Sequence, residues 1–129
     1  MPVINRVADL HSDITAWRRD LHAHPELLFD VQRTAGTVAE KLKAFGCDEV
    51  VTGLGRTGVV GVIHGRKSSS GKTIGLRADM DALPIEESTG LPYASRESST
   101  DRFGQATSIA HSCGHDMHVT WMIGAAQIL

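Results

Sequence analysis

The chain has 129 residues and a formal net charge of −2, a length that suits one domain around one hydrophobic core. Hydrophobic residues make up 41% and charged residues 22%, as in ordinary globular proteins, and a near-neutral chain without a basic stripe argues against a nucleic-acid partner. Arg6, Asp9, His11 and Asp13 interrupt the first residues, which leaves no apolar core for a secretory signal, and no stretch is long enough to cross a bilayer. The expectation is therefore a cytoplasmic protein with no membrane partner, in which Cys47 and Cys113 are free thiols rather than a disulfide.

Leu10, Ile14, Trp17 and Leu21 recur at helical spacing with Arg18, Arg19 and Asp20 among the intervening residues, which predicts an amphipathic helix. Pro25 biases His24 away from helical geometry, so the helix should end there. Ala35, Val38, Leu42 and Phe45 line a second helix, and Gly46 is placed to stop it. The β-branched run Val59, Val60, Val62, Ile63 and the run Ile74 to Ala78 predict two strands of a hairpin, joined by the polar loop His64 to Lys72. That loop is long for a hairpin. A shorter strand over Glu49 to Thr52 precedes them, and Glu86 to Ala106 reads as loop. From Val119 to Leu129 the chain is apolar on nearly all sides. Such a helix belongs inside a larger body, so either further chain covers it or it packs on one face with a free end.

Three segments carry chemistry. The first is His111-Ser112-Cys113-Gly114-His115-Asp116-Met117-His118. Thiolate, imidazole and carboxylate are the usual protein ligands of a transition metal. Cys113 and His115 are two apart and share a face if extended; Gly114 would let the backbone approach an ion, and Asp116 could orient an imidazole. A polar turn with no metal is the competing reading, since two ligands do not close a site. The second segment is Leu76 to Pro84, where Asp79 and Asp81 share a face at the end of a predicted strand, a common place for active-site groups. Alone it reads as a solvated strand end; beside the Cys/His cluster it reads as part of a site. The third is Arg18 to Leu27. His22 and His24 are spaced like ligands, but at a helix C-terminus a structural role with the free carbonyls is favoured.

Taken together, Arg19-Asp20-Leu21-His22-Ala23-His24-Pro25-Glu26-Leu27, Leu76 to Pro84 and His111 to Asp116 resemble the N-terminal part of the hippurate hydrolase and auxin-conjugate amidohydrolase family, within the aminoacylase and carboxypeptidase G2-like metallopeptidases. Thr57-Gly58-Val59-Val60 and Gly124-Ala125-Ala126 fit as well. The resemblance implies an α/β zinc-peptidase-like catalytic domain with helices packed on a mixed sheet, of which residues 1–129 are a part and from which a lid or dimerisation domain is absent. It implies Cys113 and His115 as metal ligands, Asp81 as the catalytic-site aspartate that orients metal-site groups, and two divalent ions per complete site, manganese or zinc. Roles for Asp79, His111 and His118 stay open.

The implied reaction is hydrolysis of the amide of an N-acyl amino acid, a small-molecule substrate, with a homo-oligomeric parent allowed. Ser112, Met117, Leu28 and Asp30 depart from the usual residues, and Ser95 to Ala110 is longer than usual; these bear on specificity. The family's general base lies in a downstream Glu-Glu pair, and Glu86-Glu87 precedes the Cys-Gly-His-Asp segment and is not that pair. The rival readings are a catalytically incomplete remnant with weak metal binding or a partner role, and a thiol protein using Cys113, which no Cys-x-x-Cys pair supports.

Overall fold

A computed structural model describes residues 2–66 and 70–129. In chain order the elements are α1 (Pro2–Asp9), α2 (His11–Ala23), α3 (Gln32–Ala44), β1 (Glu49–Leu54), β2 (Gly58–Val62), β3 (Ser98–Thr100), β4 (Ala106–Ser108) and α4 (His115–Ile128). The α/β class is as expected. Its strands form two separate antiparallel pairs, β1–β2 and β3–β4, and the parallel component of the expected mixed sheet is limited to a single bridge between Leu27 and Ala82.

The helices follow the apolar spacing. Leu21 on α2, Val38 and Leu42 on α3, and Val119 and Ile123 on α4 form the buried cluster, with Trp17, Phe45, Val50, Val59 and Met80 packed around it. The Trp17 and Phe45 rings lie 5.8 Å apart at 40°, within the range where aromatic pairs add to plain burial. Cys47 packs against the same cluster, and burial pushes its thiol above the usual range, as for an inert apolar-side cysteine. Helix α2 closes where Pro25 demands it, and α3 ends through Gly46 at φ 83°, with the Cys47 N–H bonded to the Leu42 carbonyl at 3.1 Å, the left-handed cap predicted from the glycine. At the other end of α3, the Glu26 carboxylate accepts the Arg33 N–H (3.0 Å) and the Thr34 N–H (2.8 Å). It takes two free donors of the first turn, where a negative charge is favoured.

Two expectations are corrected, and one helix lies where none was predicted: the chain is helical before Leu10, as α1, which joins α2 through Leu10 N–H to Arg6 O and Ile14 N–H to Leu10 O. The hairpin partner of Val59 to Val62 is Glu49 to Thr52, not Ile74 to Ala78. The short turn through Gly55 and Arg56, both at positive φ, closes a local pairing that costs less chain entropy than the polar loop. Lys67, Ser68 and Ser69 of that predicted loop lie outside the described residues. Residues 72–81 run without a strand ladder, leaving Ile74 87% and Leu76 62% exposed. The predicted loop over residues 86–106 contains β3. There Asp101 Oδ1 accepts the N–H groups of Phe103 (2.8 Å) and Gln105 (2.9 Å), a side-chain-stabilised turn between β3 and β4.

On α4, Val119 and Ile123 belong to the buried cluster and Gly124 is buried beside Ile14, whereas Trp121 is 59% exposed and Leu129, just past the helix, 80% exposed. No helix among the described residues is long and apolar enough to cross a membrane.

Candidate metal centre

The start of α4 is set by Gly114, which adopts φ 80° and ψ 18° immediately before His115. A side chain there would meet no atom within 4 Å. The glycine therefore supplies a left-handed backbone at the helix start. The reversal leaves Cys113 exposed just outside the helix and swings His115 onto the first turn, facing the segment that holds Asp79 and Asp81.

His115 is held by one ring nitrogen. Its Nδ1–H reaches the Asp81 carbonyl at 2.8 Å and the Asp81 carboxylate at 3.0 Å. With Nδ1 committed as donor, Nε2 is the free acceptor, the tautomer a metal-bound or catalytic imidazole requires. Nε2 lies 4.0 Å from Asp79 Oδ2, and His118 Nδ1 lies 3.9 Å from the same oxygen. His115 and His118 are three apart on α4, on one face, and their rings are 5.2 Å apart. Asp79 is in turn gripped by the exposed Arg77 guanidinium, whose Nη1 donates to Oδ2 at 3.1 Å.

Asp79, His115 and His118 each offer one ligand atom within 4.8 Å of the others. Two donors on one ion at about 2.0–2.2 Å sit roughly 3.3–4.2 Å apart, so this set fits a divalent cation after small side-chain motion. Of the residues expected at the site, His115 and Asp81 lie in hydrogen-bond contact. Cys113 does not join the Asp79–His115–His118 group. Asp79 and His118, whose roles the sequence left open, do. The signal for His118 was its offset of three from His115, legible only once both are known to be helical.

A second cluster lies behind the first. Asp116, 1% exposed, does not orient a site imidazole, as its place in the motif suggested. Its Oδ2 accepts the Nδ1–H of His22 at 2.7 Å and sits 2.8 Å from Arg18 Nε. The Arg18 N–H is misaligned for a hydrogen bond, so that contact is a charge pair. Arg18 Nη2 also approaches His22 Nδ1 at 3.1 Å; the shorter approach to the carboxylate decides which bond Nδ1 makes. On the far side, His22 Nε2 meets Glu87 Oε1 at 3.1 Å. Burial pushes the Glu87 carboxyl up, but hydrogen bonds from Thr89, the Ser95 N–H and His22 outweigh it and hold it below the usual carboxylate range.

His22 therefore has a structural role, as expected, but through a partner 94 residues away rather than through helix carbonyls. His24 is the one that donates to a helix carbonyl, Asp20 O at 2.8 Å. His111 is buried with neither ring nitrogen bonded, and burial lowers it to about 4 against the opposing pull of Asp116.

Residues 75–129 match the family model for peptidase family M20/M25/M40. The similarity to individual relatives extends over the whole chain. Across all 129 residues it is 46% identical to the hippurate hydrolase of Campylobacter jejuni, covering 30% of that protein. It is 39% identical over 126 residues to the N-acyl-L-amino acid amidohydrolase of Geobacillus stearothermophilus, covering 97% of this chain and 31% of that protein. In structure it resembles the Bacillus subtilis YxeP protein, a dinuclear metal-binding peptidase of family M20, with a TM-score of 0.78 and 36% identity over 93% of this chain and 30% of that one. The chain thus spans about 30% of the length of the curated relatives it matches.

Proposed function

We propose that residues 1–129 are part of the catalytic domain of a metal-dependent amidohydrolase acting on N-acyl amino acids, and that they carry one wall of its metal centre. The observation that carries this reading is the state of His115, with Nδ1 fixed by Asp81 and Nε2 free beside Asp79 and His118. His115 is read as a metal ligand, with Asp79 and His118 within reach of the same ion; Cys113, outside that group and exposed at the start of the same turn, is read as a ligand through the family resemblance. Asp81 holds the His115 ring, as carboxylates do behind ligating imidazoles. A neighbour described as dinuclear supports two metal ions in the complete site; we read the ions as manganese or zinc and the enzyme as cytoplasmic. When bound, such ions supply a water of lowered pKa and polarise the scissile carbonyl.

This chain's own residues do the rest of what is read here. Asp81 keeps the proton on Nδ1, and α4 presents Nε2 and the His118 ring on one face. Arg77 keeps Asp79 turned toward them. Glu87 is engaged by His22, Thr89 and Ser95, which supports placing the general base outside these residues.

Calorimetric titration of the chain with Zn²⁺ and with Mn²⁺ tests the centre. Saturable binding is expected, weakened at least about tenfold in both Cys113→Ser and His115→Ala. Unchanged binding in His115→Ala would overturn the reading.

A further inference from the structure

The metal-side residues sit on two segments with little regular structure between them. Asp79 and Asp81 lie on an extended run without a strand ladder, and His115 begins a helix after a glycine reversal. Among the described residues, backbone bonds tie the first segment in place beyond Asp81, where Ala82 N–H reaches Glu26 O at 2.7 Å and Leu83 pairs with Ala110. His22 touches both segments. Its Nδ1 bonds Asp116, the residue after His115, and its Nε2 bonds Glu87, six residues after Asp81. All three side chains are buried, at 8%, 0% and 5% exposure. The Tyr93 ring packs edge-on against His22 at 5.7 Å.

We propose that His22 is a positioning residue that sets the distance and rotation between the two halves of the site. It does so by holding Asp116 and Glu87 at its opposite ring nitrogens. The proposal rests on reading His115 as the metal-side imidazole. A buried ion pair is seldom kept for stability, since apolar residues of similar volume often do as well. What such a pair has over apolar packing is direction. A rigid ring engaged at both nitrogens fixes where two carboxylates lie, and through Asp116 it fixes the first turn of α4. Asp116 is further locked by its own helix, its Oδ1 accepting the Met117 N–H at 2.9 Å and its carbonyl accepting the Thr120 hydroxyl at 2.6 Å. Rotation of Asp116 is thus rotation of the turn that carries His115.

The test compares the chain with His22→Gln and Glu87→Gln, at a temperature where circular dichroism shows each folded. The first readout is metal-free. Long-range ¹H–¹⁵N spectra of the His115 ring are expected to show a single Nδ1–H tautomer in the unaltered chain and averaging of the two tautomers in His22→Gln. Glu87→Gln keeps an acceptor oxygen opposite Nε2 and should move the spectrum the same way by less. It also serves if His22→Gln does not fold.

The second readout is Co²⁺ titration, where affinity is expected to fall 10–100-fold with shifted visible bands. A merely structural role would lower the melting temperature and leave both readouts unchanged in the folded variants, which would overturn the proposal. Failure of the unaltered chain to bind Co²⁺, with the tautomer still dependent on His22, would instead overturn the metal reading and leave the positioning role standing.

Discussion

Replacing Asp116 with Ala should be among the most damaging single changes in the chain. The carboxylate is fully buried and faces His22 Nδ1 at 2.7 Å, Arg18 Nε at 2.8 Å and the Met117 N–H at 2.9 Å. Removing one member of a buried charge pair costs about 3–5 kcal/mol, because the partners stay buried without compensation. The Arg18 side chain is 25% exposed, so water recovers part of its share. The His22 side chain is 8% exposed and has no such relief. Loss of the acceptor for Met117 in the first turn of α4 adds about 0.5–1 kcal/mol.

The expected total is about 4 kcal/mol, a large share of the roughly 5–15 kcal/mol typical of a domain. Urea unfolding followed by circular dichroism measures it. A double-mutant cycle with His22→Ala should give a coupling of about 2 kcal/mol, and one with Arg18→Ala a smaller value. A cost under about 1 kcal/mol, or coupling to Arg18 exceeding that to His22, would refute the burial argument.

Gly114→Ala forces a β-carbon into left-handed geometry and should cost about 1–2 kcal/mol; it should also weaken Zn²⁺ binding by calorimetry, and unchanged affinity would show that the turn does not place His115. Ile123, 1% exposed in the cluster, should lose about 2–5 kcal/mol on truncation to Ala in urea unfolding. His111→Leu removes an imidazole with two unbonded nitrogens and is expected to leave stability unchanged or raise it by about 1 kcal/mol; a large loss would mean the ring has a partner.

The Glu87 carboxyl is held below its ordinary value in the folded chain, so between the two values the unfolded state binds more protons. Its stabilising contribution is present above about pH 4.3 and is lost as pH falls through the lower folded value. The stability gap between the unaltered chain and Glu87→Gln should accordingly close on acidification below that point; a gap that widens there would contradict the sign.

Apolar spacing alone located α2, α3 and α4, because Leu21, Val38, Leu42, Val119 and Ile123 must share buried faces whatever else the chain does. Pro25 and Gly46 marked two of the ends through backbone geometry that is local to each residue. That Asp81 orients metal-site groups was an expectation of the family resemblance, and its contact with His115 is a fact of the tertiary structure. Other outcomes were decided at distance. The β1–β2 pairing depended on competition between two possible partners for Val59 to Val62, and a run of β-branched residues does not say which neighbour will take its hydrogen bonds. Asp116 stands one residue from the metal-side histidine, yet it belongs to His22, and Glu26 belongs to the start of α3. A carboxylate's acceptor sites are filled by whichever donor the fold delivers within 3 Å, and only the tertiary arrangement of α2, α4 and the residues after Asp81 determines which donor that is.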